Sequence, residues 1–555
     1  MGKFAKGWGS EAYPIAWLLV GGLLARSAIA VWLPPGFDEA YYYLYTQHPA
    51  WSYFDHPLMV GLSTGFGPWL TGQVSQFTIR IGSLLLYTGA LILLYLTSVR
   101  LFSQKAAVLT VAIASLIPIF FIGFGVLTLP DSPLIFFWSA ALLIAAEEFF
   151  RRPTYRPSWR LAAIGLVVGL ACLSKYHGVA LGLGLIGFCF TSHRHRTAFK
   201  SPWMLAALAL FCLTISPIII WNLQHDWVSL RYQSSRAIPD RSYSLLELIG
   251  TIFIGIGYLF PTFGFPLWWV SLRTTWDQWR STTPHSKLKI QNSKLKISPT
   301  ETLRERHSPL ATSLILWISL PIILSFTLMG GYRPILPTWA MPGFWGMTLL
   351  LGDRAASWSP RRVRRWLWSS AVIISILLAI ALSHLTLGTL QKPSTYAVFG
   401  GLIPAIGDGS VQLVDIQQVR RGFEASPKLT RALQQADFVF ADDIFMAGYV
   451  GMALAPLDPP PIVCFNDDLR GFAFWSTAEE WVGKNGLYLS PKRQSNTNNY
   501  ASYFQSFQQI GEIPVWRGGA IVDVFQVYQG ENLLKPYPRL YGTGNGKTSV
   551  LRENG

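Results

Sequence analysis

The chain has 555 residues, of which 51% are hydrophobic, 14% aromatic and only 13% charged. Soluble domains carry about 25% charged residues, so the composition excludes a disordered chain and an ordinary soluble enzyme and fits a polytopic membrane protein with a soluble portion attached. The formal charge of +16 would suggest a nucleic-acid partner in a soluble protein; in a membrane protein its meaning depends on which side of the bilayer the charges fall.

A spanning helix needs about 20 mostly apolar residues. Eleven stretches are candidates, at roughly 12–33, 79–99, 106–126, 133–149, 161–173, 176–192, 203–220, 248–272, 309–329, 338–352 and 366–388. The first is long enough to span and a second follows, so no cleavable signal peptide is expected. The fifth and sixth are short and share one apolar stretch interrupted by Ser174, Lys175 and Tyr176. They read as a re-entrant pair or as two short spans meeting at a polar turn, which survives at membrane depth only beside protein or a water-filled cavity. Between 281 and 300 the run Ser286-Lys287-Leu288-Lys289-Ile290 recurs as Ser293-Lys294-Leu295-Lys296-Ile297, a low-complexity insertion tolerated in a cytoplasmic loop. From 391 to 555 the composition turns soluble-like. Runs at 438–441 and 461–465 look like buried strands, with helical spacing at 442–454 between them. That is a small α/β domain. The four cysteines, Cys172, Cys189, Cys212 and Cys464, have no zinc or redox spacing.

With the N-terminus in the cytoplasm, 24 Lys and Arg fall in inside segments and six in outside loops before residue 391. This asymmetry supports that orientation. The positive excess is then a topology signal, and no nucleic-acid partner is expected. An odd number of spans places 391–555 outside.

The outer loops, 34–78, 127–132, 221–247 and 330–337, collect the polar residues. The first holds Asp38, Glu39, Asp55 and His56 among many aromatics. Two adjacent acids at the end of a span, where desolvation has a cost, point to function more than to a solvated loop. In the second, Asp131 either caps the helix that follows or acts in chemistry. Lys175, amid apolar residues, suits an anionic group such as a phosphate, with snorkelling to the interface as the bland alternative. Arg231, Arg236 and Arg333 oppose the positive-inside bias, and a lipid phosphate would give them a local reason. Asp55 and His56 with His225 have the mixed donors of a metal site, although no tight spacing supports one. A divalent metal is left open as a cofactor, with no other cofactor expected.

Asp38-Glu39-Ala40-Tyr41-Tyr42, followed by Tyr53-Phe54-Asp55-His56-Pro57, resembles the first-loop signature of the glycosyltransferase family 39 proteins, bacterial relatives of the protein O-mannosyltransferases and of the lipid A aminoarabinose transferases. The turn Thr128-Leu129-Pro130-Asp131-Ser132-Pro133 and the runs Gly169–Tyr176 and Trp221–His225 resemble further family motifs, in the same order. The resemblance covers about residues 1–240. It implies a GT-C fold, many spans with a catalytic cavity on the outer face formed by the first loops; with the apolar runs and the tail composition this gives about 11 spans over 1–390 and an extracytoplasmic α/β domain over 391–555. It implies a polyprenyl-phosphate-linked sugar as donor and a lipid, glycan or protein as acceptor, at the cell membrane. Asp38 would activate the acceptor, with Glu39 beside it and Asp131 assisting. Lys175 and an outer arginine among Arg231, Arg236 and Arg333 would hold the donor phosphate. In the aminoarabinose branch an acid and a lysine precede the first-loop proline, whereas here Asp55 and His56 do; any phosphate binding by His56 is therefore pH-dependent.

The chemistry agrees. A leaving lipid phosphate needs cationic stabilisation, and the acceptor hydroxyl needs a base, which a carboxylate supplies. Direct displacement would invert the anomeric centre. A transporter or flippase for a lipid-linked sugar would use the same outer charges, but the two-fold repeat of spans common in transporters is not visible. A receptor acting through the soluble tail is the third reading. Which sugar and which acceptor are used is open.

Overall fold

The computed structural model describes residues 12–236, 238–239, 241–282, 299–405, 408–413 and 415–543. The repeat at 286–297 lies wholly among residues 283–298, outside the described residues. Before residue 390 the chain forms α1 (Ala12–Trp32), α2 (Phe37–Tyr45), α3 (Met59–Thr71), α4 (Ile81–Leu101), α5 (Gln104–Leu116), α6 (Asp131–Phe150), α7 (Arg160–Ser174) and α8 (Gly178–Thr191). These are followed by α9 (Pro202–Gln224), α10 (Val228–Ser235), α11 (Leu245–Tyr258), α12 (Pro261–Thr282), α13 (Pro299–Met329), α14 (Met341–Ala356) and α15 (Pro360–Leu387).

All eleven apolar stretches are helical, but not all are full spans. Among the described residues six helices are long and apolar enough to cross a bilayer: Pro14–Trp32, Thr78–Leu101, Asp131–Phe150, Pro202–Gln224, Pro309–Met329 and Pro360–Leu387. The expected span at 248–272 is instead two helices, α11 and α12, bent by 119°. Phe260 sits at φ 67° there, and Pro261 starts α12 without an N–H to continue the ladder. The stretch 106–126 is interrupted too. Ile117, before Pro118, is extended, as a pre-proline residue prefers, and the chain resumes as a wider turn over Ile119–Phe124.

The helices pack α4 on α6, α6 on α7, α7 on α9, α8 on α13 and α14 on both α5 and α13. Small residues allow close approach: a Cβ at Gly165 of α7 would lie 2.1 Å from the Ala207 carbonyl oxygen of α9. Trp138 and Trp345 are fully buried at the centre, and Trp345 Nε1 donates to Ser139 Oγ at 2.9 Å. On the outside, Leu24, Leu205, Leu213 and Ile376 are bare, the apolar surface a lipid-facing helix presents.

After Gly388, at φ 69°, the C-terminal domain begins. Short strands β1 (Gln391–Lys392) and β2 (Ile403–Pro404) pair in parallel. Then β3 (Phe438–Ala441), β4 (Ile462–Cys464), β5 (Gly486–Pro491), β6 (Phe504–Arg517) and β7 (Ala520–Leu533) form one sheet in the order β4-β3-β5-β7-β6. β3 is parallel to β4 and β5, and β7 is antiparallel to its neighbours. Helices α16 (Ile416–Glu424), α17 (Pro427–Gln435) and α18 (Ile444–Leu454) cover it. α18 seats the domain on the first outer loop. Gly448 meets the α2 backbone so closely that a Cβ would lie 2.6 Å from Tyr41 N, and Tyr449 Oη donates to the Pro35 carbonyl at 2.8 Å.

Candidate active site

Pro34-Pro35-Gly36 ends α1, and α2 starts at once with two acids in its first turn, where the helix dipole favours them. The structure sends these two neighbours in opposite directions. Glu39 turns inward. It accepts Arg80 Nε at 2.8 Å and Nη2 at 2.6 Å, with the Gly36 N–H at 2.7 Å and the Thr128 N–H at 2.9 Å. Arg80 spends its remaining donors on the carbonyls of Ala30, Leu33 and Pro34, at 3.0, 2.6 and 3.0 Å. Both side chains are essentially unexposed. Bidentate geometry and full satisfaction are what a buried pair needs to offset its desolvation.

Asp38 is the exposed member. Protein nevertheless walls it in, as happens at the floor of an open recess. That enclosure pushes its pKa up to about 6, aided by the negative charges of Asp55 and Glu39 and opposed by Arg470 and Lys175.

Asp131 heads α6, and Lys175 follows the last residue of α7. They meet with Lys175 Nζ 2.9 Å from both carboxylate oxygens. The two side chains are 5% and 7% exposed. The polar turn between α7 and α8 is thus a tight reversal that delivers a lysine. It needs Gly178, whose Cβ would lie 2.4 Å from Cys172 N.

Lys175, Arg236, His56, Tyr176, His177 and Gln233 line the polar part of a cavity of about 360 Å³, and Val179, Leu183, Ile322, Phe326 and Met329 line its apolar part. Val179 and Leu183 also border a second, apolar cavity of about 280 Å³ between α7, α8 and α9. Both residues are exposed, so the apolar end faces the lipid side. Arg236 lies over Tyr232, at 4.7 Å from the ring centre, and over Trp339, at 5.7 Å, a cation–π cradle that orients it. His56 is held near pKa 4 by burial, with Lys175, Arg470 and Arg236 adding to the effect; it is neutral at pH 7, and its buried Nδ1 has no hydrogen-bond partner.

Three of the five residues expected at a phosphate, Lys175, Arg236 and His56, therefore share one cavity. The other two do not line it. Arg231 is exposed and donates to the Asp226 carbonyl. Arg333 Nη1 donates to the carbonyls of Ser235, Arg236 and Ile238, at 3.3, 3.0 and 3.4 Å, closing the C-terminal end of α10.

The expected metal pair, Asp55 with His225, is not assembled. The described residues hold no group of three or more His, Cys, Asp or Glu side chains fit to bind a metal. His225 stacks on Trp221 at 4.2 Å and donates Nδ1–H to the Trp221 carbonyl at 2.7 Å. Asp55 is buried; Oδ1 accepts from the Tyr45 hydroxyl, and Oδ2 lies 3.3 Å from Arg470 Nη1. A guanidinium facing that carboxylate leaves a dication no favourable place.

Arg470 is the residue that sequence reasoning missed. It belongs to the C-terminal domain, in the loop after β4, and its backbone sits at φ 41°. That conformation costs roughly 1–2 kcal/mol for a side-chain-bearing residue. The signal was positional: loops at the carboxyl ends of parallel strands are where α/β sheets carry ligand-binding groups.

Residues 55–221 match the family model described as dolichyl-phosphate-mannose-protein mannosyltransferase. That range includes Asp55, Asp131 and Lys175 but not Asp38. The chain is 24% identical over 326 residues to the lipid A galacturonosyltransferase RgtD of Rhizobium johnstonii; the alignment covers 56% of this chain and spans 59% of that relative's length. Its fold is that of ArnT from Cupriavidus metallidurans. The apo form matches with a TM-score of 0.57 at 15% identity, and the form bound to undecaprenyl phosphate with 0.59 at 14%; each match covers 93% of this chain and 98% of ArnT. The resemblance read from the outer-loop motifs is borne out, and at these identities the ArnT likeness is one of fold.

Proposed function

We propose that this protein is an integral-membrane glycosyltransferase that moves a sugar from a polyprenyl-phosphate donor to an acceptor at the outer face of the cell membrane. The observation that carries the reading is the amphipathic cavity. Its polar end holds Lys175, Arg236 and His56, its apolar end opens towards lipid, and the accessible acid Asp38 feels the charge of Lys175. A phosphate esterified to a long isoprenoid has this same division of polarity.

In the reaction the anomeric carbon–oxygen bond to the phosphate breaks as the acceptor oxygen attacks from the opposite side, with inversion. The electron pair stays on the phosphate, where Lys175 and Arg236 stabilise it. The acceptor proton passes to Asp38. Asp131 holds Lys175 in place, and Glu39 with Arg80 fixes the helix that presents Asp38. The N-terminus lies in the cytoplasm and the C-terminal domain outside.

In proteoliposomes supplied with undecaprenyl-phosphate sugars, Asp38→Asn is expected to lower transfer by about 100-fold or more while undecaprenyl phosphate still binds. Full activity in that variant overturns the assignment of Asp38, and sugar moved without a new glycosidic bond overturns the enzyme reading. The base is the ionised carboxylate, so kcat/KM in the wild type should be level above about pH 7, reach half its plateau near the Asp38 pKa of about 6, and fall about tenfold per pH unit well below it.

A further inference from the structure

We infer that Arg470 makes the C-terminal domain part of the active site: it is the positioning residue that holds Asp55 and balances the acidic recess around Asp38. The inference rests on the glycosyltransferase reading above.

Three observations carry it. The first is charge. Asp55 lies near enough for its charge to act on Asp38, and Lys175, the membrane domain's nearby cation, is already engaged with Asp131 on both carboxylate oxygens. Arg470 Nη1 lies 3.3 Å from Asp55 Oδ2. Without that guanidinium, the negative charge of Asp55 beside Asp38 would disfavour the ionised carboxylate that must take the acceptor proton, a cost to kcat and not to phosphate binding.

The second is backbone geometry. Arg470 is held at positive φ by hydrogen bonds from both sides. Its own N–H donates to Tyr541 Oη at 2.8 Å, and the Gly471 N–H donates to Tyr41 Oη of α2 at 3.0 Å. Such strain persists where the surroundings over-determine it, and it clusters at functional sites. One of these two clamps comes from the helix that carries Asp38.

The third is enclosure. A surface latch would be solvated, whereas the Arg470 and Asp55 side chains are 18% and 5% exposed. Asp468 at 3.2 Å and the Phe445 ring at 5.6 Å complete the guanidinium's surroundings. Arg470 therefore acts through Asp55 and does not bind the substrate itself.

The test uses the full-length protein in proteoliposomes. The probes are undecaprenyl phosphate alone and a panel of undecaprenyl-phosphate sugars (a hexose, a hexuronic acid and an aminopentose). Arg470→Gln is expected to bind undecaprenyl phosphate within about twofold of wild type and to lose about tenfold or more in kcat with KM little changed. Arg470→Lys should recover part of the loss. Asp55→Asn combined with Arg470→Gln should be no slower, and no less heat-stable, than Arg470→Gln alone. An unchanged kcat, lost undecaprenyl phosphate binding, or additive effects of the two substitutions would each overturn the inference. If the wild type neither binds undecaprenyl phosphate nor turns over any donor, the functional reading fails instead; the thermal double-mutant cycle still judges Arg470 with Asp55, and additivity there overturns the pairing.

Discussion

Glu39 with Arg80 and Asp131 with Lys175 are both buried carboxylate–cation pairs, joining residues 41 and 44 positions apart. Both tie an outer loop to the helices beneath it, and their surroundings differ. Arg80 has three carbonyls and a carboxylate on its fork, and Glu39 has two backbone N–H groups besides Arg80. Nothing in that pair is left to offer a ligand. Lys175 carries three N–H donors, directs Nζ at one carboxylate, and borders an amphipathic cavity. Burial of an ion pair therefore does not mark a site; unspent hydrogen-bonding capacity facing a cavity does.

The largest effect expected from this contrast is on folding. Arg80→Gln leaves Glu39 buried without its countercharge, and removing one partner of a buried pair costs about 3–5 kcal/mol. Thermal unfolding in detergent should show a steep fall in Tm and a low yield of folded protein. Adding Glu39→Gln should restore part of the stability, because no unpaired charge then remains. An Arg80→Gln protein with wild-type Tm and selectively lost transfer would break the contrast, placing this pair in the chemistry.

The second effect is on binding. On the proposed reading Lys175→Gln removes a charged hydrogen bond to the lipid phosphate worth about 1.5–3 kcal/mol, so affinity for undecaprenyl phosphate should fall about 10- to 100-fold. It also strands Asp131. Lys175→Gln with Asp131→Asn should therefore regain heat stability without regaining affinity. Native mass spectrometry of the lipid complex, read beside the melting curves, separates the two. Recovery of both together would make this pair as purely structural as the other.

How much of this was legible in the sequence follows from the range of each interaction. Apolar runs located each of the six described helices that are long and apolar enough to cross a bilayer, because hydropathy is a local property, but they overstated the number of full spans. The break at Phe260-Pro261 was not foreseen, since a mean over the window hides one residue at positive φ. Asp38, Asp131 and Lys175 stood out as charges where charge has a cost. That Glu39 would be consumed by Arg80 was invisible, because the two lie 41 positions apart and nothing near Arg80 announces a carboxylate partner. Arg470 was hidden for the same reason, across 415 positions from Asp55. The cavity sorted the outer arginines, which sequence could only group by side of the membrane.

That sorting gives the smallest effect and sharpens the contrast furthest. Arg231, Arg236 and Arg333 are equivalent by charge and by side of the membrane. Only Arg236 lines the lipid-facing cavity, braced over Tyr232 and Trp339. Arg333 has its Nη1 on three backbone carbonyls at the end of α10, and Arg231 lies on that helix's exposed side with a carbonyl of its own. Arg236→Gln should weaken undecaprenyl phosphate binding by about tenfold, the loss of one charge-assisted contact. Arg231→Gln should leave affinity within about twofold and Tm almost unmoved, as surface substitutions do. Arg333→Gln should also leave affinity within about twofold, but lower Tm slightly through the lost carbonyl contacts. The ranking reads the site through unspent donors at a cavity wall. If all three variants lost affinity alike, the outer positive charge as a field, and not the donors at that wall, would be holding the lipid phosphate.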